Sequence, residues 1–106
     1  MKYNTYYGNE ENAYEVEKNV TNSIDDAINI VSEYLENDLE FVEDKNEFKT
    51  RLINEIKKGI SNDGYGFAEF INQHEYHIVI GIAPDGKCRE LRNYISDFRK
   101  EMLSYY

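Results

Sequence analysis

Tryptophan is absent from the chain, cysteine and proline occur once each, and glycine supplies only six of 106 residues. The single cysteine, Cys88, excludes a disulfide within the chain and suits a reducing compartment. No apolar run approaches the roughly 18–20 residues of a membrane-spanning helix. The longest, Ile78 to Ala83, has the length of a strand and is interrupted by Gly81. The opening residues Met1-Lys2-Tyr3-Asn4-Thr5 lack the apolar stretch of a signal peptide, so the expected location is the cytoplasm. Asn19-Val20-Thr21 matches a glycosylation sequon and, without a secretion signal, is read as coincidence.

Basic residues are the other scarcity. There are 12 lysines and arginines against 21 acidic residues, a formal net charge of −9. That balance disfavours direct binding to nucleic acid or to an anionic membrane, since both are negative, and points to a basic partner. The deficit is local. Residues 1–44 hold two lysines and twelve acidic residues, whereas residues 45–106 hold ten basic and nine acidic side chains. No lysine or arginine occurs between Lys18 and Lys45. Such asymmetry between the two parts of a chain is a pointer to an interaction surface.

What is present is enough for one small domain spanning residues 1–106. Leu, Ile, Val and Phe make up about a quarter of the chain, above the roughly one-fifth below which charged sequences stay disordered. Ten tyrosines complete a thin core. Tyr3, Thr5 and Tyr7 alternate with Lys2, Asn4 and Tyr6 as on a strand. Residues 13–18 alternate too, with Tyr14 and Val16 facing together, although Ala13, Val16 and Val20 also fit a helix. Gly8-Asn9 lies between the two segments, and a hairpin is the reading adopted.

Ser23 with Asp26 three residues on resembles a capping box. Ile24, Ala27, Ile28, Val31, Leu35, Leu39 and Val42 follow at steps that put them on one helical face. This helix is expected to end near Asn37 or to run on to about Val42. Asp44 with Glu47 marks a second start, Phe48, Leu52, Ile53 and Ile56 its apolar face, and Gly59 its expected end. Tyr65 to Ile71 and Tyr76 to Ala83 read as strands, rich in aromatic and β-branched residues. Pro84-Asp85-Gly86-Lys87 is a turn, and Leu91, Ile95, Phe98 and Met102 mark a last amphipathic helix. The expected fold is therefore α+β: a small antiparallel sheet of two hairpins, about three helices packed on one face, in the order ββ-αα-ββ-α.

No catalytic constellation emerges. His74, Glu75 and His77 look superficially like a metal motif, but the zinc-protease pattern requires a histidine at position 78, which is Ile78. Gly64-Tyr65-Gly66 precedes a strand and is not a phosphate loop. Cys88 has Lys87 and Arg89 beside it, with no histidine paired to it by any sequence pattern. The expectation is a protein that is no enzyme and uses neither metal nor cofactor.

The remaining candidate is the acidic helix. Asp25, Asp26, Glu33 and Glu36, continued by Glu40 and Glu43, lie on its polar side at spacings that make neighbours of carboxylates. Tyr34 flanks Glu33 and is the candidate aromatic anchor. A row of charge repeating turn by turn imitates the phosphates of a nucleic-acid backbone, which a basic groove would attract. The bland alternative is a solvated face, its first acids favoured by the helix dipole. Arg89, Arg92, Arg99 and Lys100 in the last helix are read as pairing with the acidic half or with a sister subunit.

In composition and charge layout, though in no alignable motif, the chain resembles small acidic inhibitors of phages and mobile elements. These include anti-CRISPR and anti-restriction proteins, and acidic immunity proteins that neutralise nuclease toxins share the character. The resemblance implies a basic partner surface, on a nucleic-acid-binding protein or nuclease, and transfers no site residues. An accessory interaction domain acting as a homodimer through its sheet or last helix is the alternative.

Overall fold

Two helices begin at side chains that satisfy otherwise free backbone N–H groups. The computed structural model describes residues 2–9, 19–39, 42–71, 75 and 77–103. In it, the Ser23 hydroxyl caps α1 (Ile24–Asp38), accepting from the N–H of Asp25 at 3.1 Å and of Asp26 at 3.4 Å. The Asp44 carboxylate caps α2 (Lys45–Asp63), accepting from the N–H of Glu47 at 3.3 Å. Both starts fall where the sequence places them.

The end of α2 does not. Gly64, at φ 85°, closes the helix, and its N–H donates to the Ile60 carbonyl. Gly59 instead lies within the helix, where α2 meets the sheet. A Cβ at Gly59 would stand 2.8 Å from the Gly66 Cα and 2.9 Å from the Tyr65 carbonyl oxygen. Gly59 is thus a close-approach residue, which explains why a glycine there does not terminate the helix.

Three antiparallel strands form the body of the sheet. β1 (Tyr3–Asn9) and β3 (Gly66–Ile71) flank β4 (His77–Pro84), with Tyr6 opposite Gly81 and Ala68 opposite Ile80. The short β2 (Asn19–Thr21) adds three residues along the other side of β1, giving the order β2-β1-β4-β3. Gly8 and Asn9, expected between two strands of a first hairpin, instead continue β1 and pair with Val79 and Ile78 of β4, while the strand expected at 13–18 lies outside the described residues.

The sequence reading places all the helices on one face of the sheet; instead they cover both. Ile78, Ile80 and Ile82 of β4 are buried with Ala27, Val31 and Leu35 of α1 and with Leu52 and Ile56 of α2. The intervening Val79 and Ala83 are buried on the opposite side with Tyr6 and with Leu91 and Ile95 of α3 (Cys88–Leu103). The cause is the continuous apolar run of β4. A strand with one wet face alternates polar and apolar residues, whereas an unbroken apolar run requires cover on both sides. Each fully buried isoleucine contributes about 1.5–3 kcal/mol relative to exposure, so neither face of β4 tolerates water.

β1 alternates as its sequence indicates. Tyr3 and Tyr7 pack towards α1 and α2, while Tyr6 joins the core under α3. Pro84 leads into a 3-10 turn, Asp85–Lys87, that delivers the chain to α3. Tyr94 of α3 is half-buried and stacks on Phe67, ring centres 3.9 Å apart, so it is spent within the fold. Among the described residues no helix is long and apolar enough to cross a membrane.

Candidate protein-binding surface

The acidic side chains of α1 divide into groups of different character. Ala27, Val31 and Leu35 turn one stripe of the helix to the sheet, leaving Asp25, Asp26, Asn29, Glu33 and Glu36 exposed on the other side. Asp25 and Asp26 occupy the first turn, where the partial positive charge of the helix end favours carboxylates. Glu33 lies eight residues beyond Asp25, about 12 Å along the axis at 1.5 Å per residue. Among the described residues no cation pairs with Asp25, Asp26, Glu33 or Glu43.

Glu36 differs. Its carboxylate takes Lys45 Nζ at 2.7 Å on one oxygen and Lys49 Nζ on the other. Hydrogen bonds from Lys45 and then Lys49 hold its pKa down at about 2. The sequence reading that no cation relieves this row is therefore corrected at Glu36. The gap between Lys18 and Lys45 is real along the chain, but the turn into α2 folds Lys45 and Lys49 back against the end of α1. Glu43 is exposed in that turn, and Glu40 lies outside the described residues.

Tyr34 does not join the acids. At about 100° per residue it sits some 160° around the helix from Glu36. It is half-buried, with its ring 5.8 Å from that of Tyr7 on β1. The structure thus groups Asp25, Asp26 and Glu33 on one open face, neutralises Glu36, and directs Tyr34 towards the sheet.

A polar cluster that the sequence does not announce lies on the other side of the molecule. The Asn4 amide is buried and donates to the Ala83 carbonyl at 3.3 Å, to Asp85 Oδ1 at 3.0 Å and to Cys88 Sγ at 3.0 Å. The Cys88 thiol donates to the Pro84 carbonyl at 3.4 Å. Tyr6, 1% exposed, brings its hydroxyl beside the Cys88 thiol and the Arg92 guanidinium, yet meets neither at hydrogen-bonding geometry. Burial, reinforced by the thiol, pushes this phenol up to about 12. The one signal in the sequence is that Asn4 and Tyr6 share a strand face, which says nothing of residues some eighty positions away.

Two open depressions lie among the described residues. One runs between α2 and β3, floored by Phe48 and Leu52 and rimmed by Arg51, Glu55, Lys58 and Glu69. The other lies between Gly64 and the Pro84–Lys87 turn, with Lys2 alongside. Among the described residues no group of three or more His, Cys, Asp or Glu side chains could hold a metal ion. His77 is half-buried, and His74 falls outside the described residues. No protein-family model matches the chain, and neither does any curated protein or solved structure.

Proposed function

We propose that this protein is a non-catalytic inhibitor, acting in the cytoplasm, that covers the basic nucleic-acid-binding surface of a nuclease or defence complex. It would act in the manner of anti-CRISPR and anti-restriction proteins. The observation that supports this reading is the open face of α1, where Asp25, Asp26 and Glu33 carry charge with no cation paired to them. Glu43 extends the charge past the end of the helix. An acidic face in place of the phosphate backbone steers the protein to a basic groove and excludes the nucleic acid by occupying its site. Glu36, tied to Lys45 and Lys49, contributes to joining the two helices and little to this field.

The experiment is a cleavage assay with purified RNA-guided nucleases, restriction nucleases and basic nuclease toxins. Inhibition of at least one is expected, a toxin indicating the immunity-protein variant of the same mechanism. Asp25→Lys combined with Glu33→Lys should remove inhibition, with helical content retained by circular dichroism. Loss of the dipole contact at Asp25 costs only about 0.3–1 kcal/mol of stability. Inhibition unchanged by the double reversal, or absent with every nuclease, contradicts the reading.

A further inference from the structure

Cys88 is the first residue of α3, and its surroundings have no part in an acidic inhibitor surface. The residue is partly exposed. It accepts the Asn4 amide at 3.0 Å and sits at the N-terminal end of a 16-residue helix, with Lys87 before it and Arg89 and Arg92 after it. A partly exposed cysteine at a helix N-terminus, with an amide donating to its sulfur and basic residues beside it, has features of a reactive thiol. The Tyr6 side chain, packed in the same cluster as Cys88, is 1% exposed, and its buried hydroxyl has no hydrogen-bond partner. Native structures rarely leave such a group unpaired without a reason. An oxygen atom carried by the sulfur would accept its proton.

We propose that Cys88 is a site of reversible oxidation by peroxides, where the Tyr6 hydroxyl donates to the oxygen that the sulfur gains. The sulfur attacks one peroxide oxygen, the O–O bond breaks and an S–O bond forms. The sulfur is oxidised by two electrons, and the peroxide is reduced. The second peroxide oxygen leaves with the thiol proton, as water from hydrogen peroxide or as an alcohol from an organic peroxide. The product is a sulfenic acid. The chain contains no other cysteine to resolve it, so a small-molecule thiol reverses the reaction through a mixed disulfide. Tyr6 acts here by stabilising oxygen on the sulfur and is not itself oxidised.

The reduced protein is pulsed with hydrogen peroxide, trapped with a cyclic dione selective for sulfenic acids, and the adduct located by mass spectrometry. Adduct is expected at Cys88, lost in Cys88→Ser, and formed about tenfold faster than in Tyr6→Phe, the effect of one hydrogen bond. Alkylation by iodoacetamide leaves no oxygen on sulfur, so its rate should be equal in the wild type and Tyr6→Phe. Equal peroxide rates in the two proteins, or a parallel fall in both reactions, overturns the proposal. If Tyr6→Phe does not fold, the wild type decides. Its ratio of peroxide to iodoacetamide rates should exceed that of an unstructured cysteine peptide by about tenfold, and an equal ratio overturns the assignment.

Discussion

Replacing Gly66 with alanine tests how closely α2 is seated on the sheet. A Cβ at Gly66 would overlap the Ile56 carbonyl oxygen and stand 2.7 Å from its carbon and 3.0 Å from the Ile56 Cα. All three atoms are backbone in the middle of α2, so no side-chain rotation relieves the clash. β3 cannot retreat either, because Gly66 to Ile71 are paired residue by residue with β4. The helix must move by about an ångström, disturbing Leu52 and Ile56 in the core. Overpacking costs about 1–3 kcal/mol where neighbours can adjust, and a backbone obstacle puts Gly66→Ala at the top of that range, about 3 kcal/mol. At roughly 4–8 °C per kcal/mol for a domain near this size, the melting temperature should fall by about 12 °C or more. Gly86→Ala is the control. Nothing lies within 4 Å of its Cβ position and its φ is not positive, so it should be neutral or gain about 0.4–1 kcal/mol. Thermal denaturation followed by circular dichroism reads both. A Gly66→Ala protein melting within about 3 °C of wild type refutes the close helix–strand contact.

Ile80→Ala and Val79→Ala should each cost about 2 kcal/mol or more in urea denaturation, because β4 is buried on both faces; a Val79→Ala change below about 0.5 kcal/mol would place that face in water. Glu36 has a pKa lowered from 4.5 to about 2 in the folded protein, so its contribution is present above pH 4.5 and is lost as pH falls towards 2. Glu36→Gln should flatten the stability profile across that interval, as should neutralising Lys45 and Lys49 together. Tyr6 shows the opposite sign. Its pKa is raised from 10 to about 12, so stability is full below pH 10 and falls as pH rises from there towards 12. Tyr6→Phe should abolish this alkaline loss and, by removing an unpaired buried hydroxyl, gain up to about 1 kcal/mol at neutral pH.

Those features of the fold that depend on neighbouring residues were legible in the sequence. Ser23 and Asp44 cap helices because capping is a contact within three residues, and the apolar steps from Ala27 to Leu35 show directly which side of α1 is buried. Gly59 was open to misreading because a glycine that ends a helix and one that admits a strand look alike in sequence. Only the neighbouring Gly66 distinguishes them. The two-sided burial of β4 was legible in principle, since Ile78 to Ala83 leaves no polar side to face water. The candidate site fared less evenly. The exposure of Asp25, Asp26 and Glu33 follows from helical periodicity. The pairing of Glu36 with Lys45 and Lys49 depends on the angle at which α2 returns, and the contact of Tyr34 with Tyr7 depends on where β1 passes beneath α1. The Asn4–Cys88 cluster joins β1 to the start of α3, 84 positions along the chain, a relation no local pattern contains.

An acidic face that substitutes for phosphates and a nucleic acid cannot occupy one groove together. The most direct measurement of the proposed function titrates this protein into a complex of a candidate target nuclease with fluorescently labelled DNA and follows the anisotropy, at about 50 and 500 mM salt. Complete displacement of the DNA at low salt, with an affinity that weakens steeply at high salt, is the predicted result. A ternary complex that retains the DNA, or displacement equally strong at both salt concentrations, would contradict it.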